Sequence, residues 1–367
     1  MTGNPESHFF LTKQTTWDSG SNSQSLWAIA NLPGMTIFLF VFLICTSTAS
    51  AQTPDYPPYS RQNGYAYQQA DPFQQWLRGV EAEAEQAGVS RAVAENALAQ
   101  VSPDERVIER DSTQPEQTLT FATYREHIVT PDRVSEGRAL VRQHAHLLKE
   151  ISQRYGVPPE IIVALWGMES GFGRNIGGYN IVNSLATLAY QGRRANFFRS
   201  ELINALKILD QEHMPASELR GSWAGAMGQC QFMPSTYLRY AVDYQGGGKR
   251  DIWHDQTDVF ASIANYLAAE GWKPGTGWGR AVSLRKALPE SETGLGIKHS
   301  LTEWTKRGVR DTAGKPLPNK PLQASLVQPD GPGGRSYLVY DNFRALMRWN
   351  RSSYFATSVG LLADSIR

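Results

Sequence analysis

Apolar side chains recur three or four positions apart along much of the chain, and this spacing predicts amphipathic helices. The longest periodic segment is interrupted by Gly192, Arg193 and Arg194, where a small residue and two charged residues break the pattern. Most of the chain between residues 72 and 275 is therefore predicted to be helical, with segments at 73–80, 90–98, 140–155, 184–209 and 258–270.

After Pro274 the pattern changes, because glycine and proline become frequent and the apolar runs become short. Runs at 322–327 and 337–340 predict strands, and Asp341 or Asn342 is predicted to cap a closing helix. The predicted fold class is α+β and mainly helical. Its parts are a helical region at 72–150, a core at 151–275, a small β-rich region at 276–340 and a closing helical region at 341–367.

The N-terminal part contains an uncharged apolar run of eleven residues at 35–45. This run is too short to span a bilayer and suits the apolar part of a signal peptide. Small residues at 49–51 form a cleavage site, so residues 1–51 are predicted to be removed after Ala51, leaving 52–71 as a flexible lead-in. Leucine and isoleucine precede Cys45, where a lipoprotein would have a small residue. We therefore expect a soluble exported protein, with an N-terminal membrane anchor as the alternative.

The most apolar helical segment, 158–173, carries Glu169 near its C-terminal end. Prolines suit its first turn, and Gly171 supplies the backbone freedom that ends a helix. Burial and the negative end of the helix dipole both disfavour an ionised carboxylate, so the pKa of Glu169 should be raised, as a general acid requires. The alternative is a structural glutamate that is bonded to backbone amides. The segment is predicted to be buried because apolar residues cover most of its circumference: Ile161, Ile162, Leu165, Trp166 and Met168.

A second informative stretch lies at 222–235, where glycines and small residues allow the backbone to approach another group closely. Gln229 and Gln231 add side-chain amides there. Acidic residues are scarce around both stretches, with none between positions 169 and 201. Ordinary glycosidases place two carboxyl groups around the bond that they cleave, whereas this sequence offers one locally.

Charge and cysteine content exclude some classes of function. The net charge is +1, so bulk electrostatics does not indicate a nucleic-acid-binding protein. Cys45 and Cys230 are the only cysteines of the sequence, and Cys45 lies in the predicted signal peptide. A processed chain would therefore have no internal disulfide and no cysteine-based metal site.

The two stretches resemble the motifs of a known family. The sequence ESGFG at 169–173 resembles the E-S-x-F-G motif of lytic murein transglycosylases, and AGAMG at 224–228 with QFMPS at 231–235 resembles the second motif of the B-type branch. Shorter matches occur at 193–195, 264–267 and 348–350. The resemblance extends from about Pro72 to the C-terminus and implies a lysozyme-like catalytic core at 151–275.

The resemblance implies an enzyme that cleaves the β-1,4 bond between N-acetylmuramic acid and N-acetylglucosamine in peptidoglycan. Glu169 would protonate the glycosidic oxygen and then, as a carboxylate, take the proton of the muramoyl C6 hydroxyl, leaving a 1,6-anhydromuramic acid end. It also implies a periplasmic location, glycan strands as the binding partner and other cell-wall enzymes as a further class of partner. A hydrolytic muramidase and a catalytically silent peptidoglycan-binding scaffold are the alternatives.

Substrate-binding roles also follow from the resemblance. Arg193 and Arg194 match basic positions suited to muramoyl-peptide carboxylates, with a solvated basic turn as the alternative. Trp349 stands where the family usually has tyrosine, so it can stack on a sugar but lacks the hydroxyl. The other positions that match the substrate cleft of the family are Ser222, Gln231, Tyr266 and Asn350.

The family often carries a calcium-binding loop after the second motif, which corresponds to 243–255 here. Asp243 and Asp251 remain as candidate ligands, but Gln245 and Gly247 stand where acidic or hydroxyl ligands would be expected. Calcium prefers several carboxylates at such a site. We therefore expect weak or no calcium binding and no required cofactor.

Overall fold

The computed structural model describes residues 71–113 and 119–367. The predicted signal peptide at 1–51 lies outside the described residues, as does the lead-in up to residue 70. Within the part that is described, no helix combines the length and apolar character needed to cross a membrane.

Helices make up most of the described chain, as the sequence predicted, and the mainly helical α+β fold class is confirmed. The helices are α1 Pro72–Gln86, α2 Arg91–Leu98, α3 Glu105–Ser112, α4 Phe121–Ile128, α5 Pro131–Gln143, α6 Ala145–Tyr155, α7 Pro159–Ser170, α8 Ile181–Gln191, α9 Ala195–Gln211, α10 Pro234–Tyr240, α11 Gln256–Ala269, α12 Leu301–Lys306, α13 Asp341–Trp349 and α14 Ser353–Ile366.

The strands form two antiparallel sheets. A short pair joins two loops of the helical part, and a five-stranded sheet of order β4-β6-β7-β3-β5 follows α11. The runs predicted to be strands at 322–327 and 337–340 correspond to β6 and β7 of this larger sheet. The strands are β1 Tyr179–Asn180, β2 Arg220–Gly221, β3 Gly279–Leu284, β4 His299–Ser300, β5 Val309–Arg310, β6 Gln323–Val327 and β7 Ser336–Val339.

Helix α7 lies at the centre of the helical part, packed by α5, α6, α11 and α14. Its residues are buried on every side from Ile161 to Ser170, which is why the sequence shows no polar stripe there. Pro159 occupies the first turn, and Gly171 ends the helix in the left-handed conformation (φ 58°, ψ 46°). The chain can therefore turn sharply immediately after Glu169 and Ser170.

Two local predictions were wrong. The single helix predicted at 140–155 is divided into α5 and α6 at His144, whose ring packs edge-on against Phe260 at 5.3 Å. The N-cap of α13 is Tyr340, because Asn342 is buried and its side-chain amide binds the backbone of Lys273 and Thr276 instead of capping the helix. Both departures come from packing between distant segments, which local periodicity does not contain.

Candidate active site

Glu169 lies in the last turn of α7 with only 5% of its surface exposed. The indole N–H of Trp349 donates a hydrogen bond to Glu169 Oε1 at 2.7 Å. Burial raises the pKa of Glu169 to about 8, and the bond from Trp349 opposes this rise. The carboxyl group is therefore protonated at neutral pH, which is the state that a general acid needs.

Two aromatic rings pack on Trp349, and a third ring packs on one of them. Its ring centroid lies 4.7 Å from that of Tyr266 and 5.3 Å from that of Phe232, and Tyr240 stands 4.6 Å from Tyr266 on the far side. We call Phe232, Tyr240, Tyr266 and Trp349 the aromatic wall. Because these rings come from α10, α11, α13 and the second motif, the wall fixes the indole beside the buried acid.

The second motif packs directly against the loop that follows α7. Gln231, in the left-handed conformation at φ 51°, donates its amide to the carbonyl groups of Ile176 at 3.1 Å and Gly228 at 2.8 Å. Ser222 accepts the backbone N–H of Ala226 at 3.0 Å. These two predicted cleft residues therefore build the turn beside the acid, and their contact with substrate stays a prediction.

Gln229 joins the two motifs through one buried side chain. Its carbonyl oxygen accepts the indole N–H of Trp166 and the amide of Gln256, both at 2.8 Å, and its own amide donates to the carbonyl of Trp253 at 2.7 Å. Trp166 precedes Glu169 by one turn of α7. Gln229 therefore ties the catalytic helix to α11 and to the loop before it, a role that its residue type alone did not indicate.

Arg193 and Arg194 belong to the turn between α8 and α9. The Arg193 guanidinium binds the backbone carbonyl of Asp111 at 2.6 Å, and Arg194 lies over the ring of Phe197 at 4.6 Å. Arg193 thus contacts α3, and Arg194 packs on a ring of α9. Asn350 accepts the N–H of Ser352 and so shapes the connection between α13 and α14.

Two other titratable groups face Glu169. Tyr124 of α4 and Cys230 of the second motif both interact electrostatically with it, and burial raises the pKa of each. Cys230 is fully buried with its thiol toward the carbonyl of Val259, as expected for a small packing residue. Tyr124 was not identified from the sequence, because nothing in its local pattern marks a residue that only the tertiary fold brings near Glu169.

The loop at 243–255 is held by hydrogen bonds to its own backbone. Asp243 accepts the N–H groups of Gly246, Gly247 and Gly248 at 2.8, 2.9 and 2.6 Å, and these bonds lower its pKa. Asp258 of α11 accepts the N–H groups of Tyr244 and Asp251. Asp243 and Asp258 therefore bind backbone donors of the loop.

Arg250 anchors the same loop from the other side. Its guanidinium binds the buried carboxylate of Glu212 at the end of α9, with the Nε–Oε1 distance at 2.6 Å, and also binds Gln211. The phenol of Tyr237 donates to the Arg250 carbonyl at 2.7 Å. Side chains of this chain therefore fix the loop on both sides.

Comparisons with known proteins identify the family. Residues 72–364 match the transglycosylase SLT domain, and 245 residues are 38% identical to the membrane-bound lytic murein transglycosylase B of Escherichia coli, covering 66% of each chain. This chain is a lytic transglycosylase of the B type.

Solved structures resemble the transglycosylase closely. SltB3 from Pseudomonas aeruginosa, in complex with NAG-anhNAM-pentapeptide, is 46% identical with a TM-score of 0.77, covering 80% of this chain and 79% of that one. The Escherichia coli lytic transglycosylase Slt35 in complex with calcium is 34% identical with a TM-score of 0.67, covering 81% and 93%.

In this transglycosylase the acidic residues of the loop at 243–255 are not gathered into a cluster of metal ligands. In the described part of the chain, no group of three or more His, Cys, Asp or Glu side chains is arranged to hold a metal ion. Both oxygens of Asp243 and both of Asp258 already accept backbone amides. Calcium prefers several oxygen ligands at such a site, and weak or absent calcium binding stays a prediction.

Proposed function

We propose that this transglycosylase cleaves the β-1,4 bond between N-acetylmuramic acid and N-acetylglucosamine in peptidoglycan and leaves a 1,6-anhydromuramic acid end. The observation that carries the proposal is the burial of the Glu169 carboxyl group beside the aromatic wall, which raises its pKa to about 8. The relative SltB3 was crystallised with a ligand that contains an anhydro-muramoyl unit, which supports this product class.

In the first step, the Glu169 carboxylic acid gives its proton to the glycosidic oxygen, and the bond between that oxygen and the muramoyl C1 breaks. A carboxylic acid with a pKa of about 8 holds this proton at neutral pH and gives it up when the oxygen becomes basic in the transition state. Apolar surroundings keep competing water away from the proton.

In the second step, the Glu169 carboxylate takes the proton of the muramoyl C6 hydroxyl while the C6 oxygen bonds to C1 of the same ring. The proton count balances, because the group regains the proton that it gave in the first step. The nucleophile belongs to the substrate, so its delivery is intramolecular and gains effective molarity over water. No second carboxylate is needed as a nucleophile.

Mass spectrometry of fragments released from purified sacculi tests the reaction. Anhydro ends weigh one water less than hydrolytic ends, so a preparation that releases only anhydro fragments supports the proposal. Hydrolytic ends would establish a muramidase instead. Binding of sacculi without release at any enzyme concentration would establish a silent scaffold.

We propose that the protein acts in the periplasm after removal of residues 1–51. The apolar run at 35–45 and the small residues at 49–51 support export and cleavage. The N-terminus of protein from the periplasmic fraction should be Gln52. A chain that keeps its apolar run and sediments with membranes would favour an anchor.

We propose further that the fold requires no calcium. The support is the loop at 243–255, where Asp243 binds three backbone amides and Arg250 binds Glu212. These hydrogen bonds thereby hold the loop in place, as a bound cation would otherwise do.

A further inference from the structure

Trp349 is the last residue of α13 and follows Glu169 by 180 positions in the chain. Its indole N–H donates to Glu169 Oε1 at 2.7 Å, within the normal range for an N–H···O hydrogen bond. Tyr266 and Phe232 pack on the ring, with centroids at 4.7 and 5.3 Å. Rotation of the indole away from the acid would therefore require the aromatic wall to rearrange.

An indole has one N–H donor and no acceptor, so this hydrogen bond can run in only one direction. Glu169 Oε1 must accept the bond whether the carboxyl group is protonated or ionised. A proton on Oε1 would compete with the indole N–H for the lone pairs of that oxygen. A tyrosine, which the family usually has at this position, imposes no such restriction because its hydroxyl both donates and accepts.

We propose that Trp349 is a positioning residue, whose indole reserves Oε1 as an acceptor and thereby fixes Oε2 as the oxygen that gives and retrieves the catalytic proton. The inference rests on the proposed function and assigns a different role to each of the two carboxyl oxygens of Glu169. It also revises the role that the sequence indicated for Trp349, from a platform for sugar to a partner of the acid.

The bond should matter more after proton transfer than before it. A donor stabilises a carboxylate more than a neutral acid, so the indole eases loss of the proton that burial otherwise retains. Removing the donor should therefore raise the pKa of Glu169 further. The Glu169 carboxyl group should also lose its fixed orientation, which slows turnover even at the optimal pH.

Burial also shifts the pKa of other titratable groups packed around this site. Burial raises the pKa of Tyr124 on α4, of Cys230 in the second motif and of Tyr266 on α11 behind Trp349. Burial lowers the pKa of His144, which packs on Trp166 at the α5–α6 junction, and that of Arg133 on α5, which faces Tyr124. From α14, Asp364 binds the indole of Trp278.

The test compares three variants. Trp349→Phe removes the donor and keeps an aromatic ring, whereas Trp349→Tyr restores a donor. Trp272→Phe is the matched control, because Trp272 is a buried tryptophan whose indole N–H has no hydrogen-bond partner among the described residues. Each variant is checked by its melting temperature before it is compared with the unmodified protein.

Two measurements are made on each variant. The first is the titration of the Glu169 carboxyl carbon by NMR with ¹³C-labelled glutamate, assigned by its loss in Glu169→Gln. The second is the pH dependence of anhydro-fragment release.

We expect Trp349→Phe to move two midpoints upward by about one pH unit: that of the Glu169 carboxyl titration and that of the pH dependence of fragment release. Its maximal rate should fall roughly tenfold or more with KM nearly unchanged. Trp349→Tyr should return the midpoint to near its original value, and Trp272→Phe should not move it.

The proposal is overturned if folded Trp349→Phe keeps the original midpoint, if Trp272→Phe shifts it equally, or if Trp349→Tyr behaves like Trp349→Phe. A rise in KM at an unchanged midpoint would instead establish a sugar platform. The NMR titration does not require turnover. A wild-type protein that releases no anhydro fragments would therefore reject the proposed function while the titration still decides the role of Trp349.

Discussion

The end of α7 and the loop at 243–255 use the same functional group in opposite ways. Glu169 is enclosed by apolar and aromatic residues, and burial raises its pKa to about 8. Asp243 stands at the surface, where three backbone amides lower its pKa. Both carboxyl groups are hydrogen-bonded, so hydrogen bonding alone does not decide the protonation state.

Desolvation is therefore the largest influence on the pKa of Glu169, whereas backbone N–H donors are the largest influence on the pKa of Asp243. At Glu169 the loss of water outweighs the indole N–H, and the group stays neutral to perform acid chemistry. At Asp243 water remains, and the carboxylate organises the loop by binding its amides. Glu169 therefore has a proton to donate, whereas Asp243 holds the backbone of its loop together.

The largest expected effect comes from Glu169→Gln, which removes the proton donor and keeps the shape. Turnover should fall by roughly a thousandfold or more, measured as release of anhydro fragments, while binding to sacculi is kept. The matched control is Glu201→Gln, at a second buried glutamate whose pKa is also raised but which binds Ser235 instead. A Glu169→Gln variant that still clears sacculi would remove the catalytic assignment.

Glu169→Gln should also change how stability depends on pH. The pKa of Glu169 is higher in the folded state than the ordinary glutamate value of 4.5, so between that value and about 8 the folded chain holds a proton that the unfolded chain has lost. Its contribution to stability is therefore complete at low pH and is lost as pH rises through about 8. The melting temperature of Glu169→Gln relative to wild type should increase across that window, and a constant difference would contradict the burial argument.

A smaller effect is expected for Asp243→Ala, which leaves the amides of three glycines without their acceptor. The melting temperature should fall by a few degrees with little change in the rate of fragment release. Because the pKa of Asp243 is lowered in the folded state, this contribution is present above the ordinary aspartate value of 3.8 and disappears as pH falls through the lowered pKa. An unchanged melting temperature at neutral pH would show that Asp243 does not hold the loop.

The smallest effect should come from calcium itself. Excess EDTA or added calcium should leave the melting temperature of the wild-type protein unchanged, because the loop carboxylates already bind backbone donors. Calorimetric titration with calcium provides the binding measurement. A rise of several degrees on adding calcium would show that these carboxylates turn toward a cation.

The sequence allowed α7 and its buried acid to be predicted because the evidence is local. Apolar residues around the whole helix indicate burial, and Gly171 marks the end beside Glu169. The partner of the acid could not be predicted, since Trp349 is 180 residues away and its substitution for tyrosine suggested only a lost hydroxyl. The break at His144 and the joining role of Gln229 were missed for the same reason, because both depend on contacts between distant segments.

The distance along the chain between Glu169 and Trp349 has a consequence for biosynthesis. Helix α14, which packs against α7, also comes from residues beyond 350. A nascent chain that has emerged only as far as α11 therefore carries the acid without its indole and without part of its cover. The enzyme is assembled for catalysis only when residues 341–366 have left the ribosome and folded back, so partial translation products should be unable to cut the cell wall.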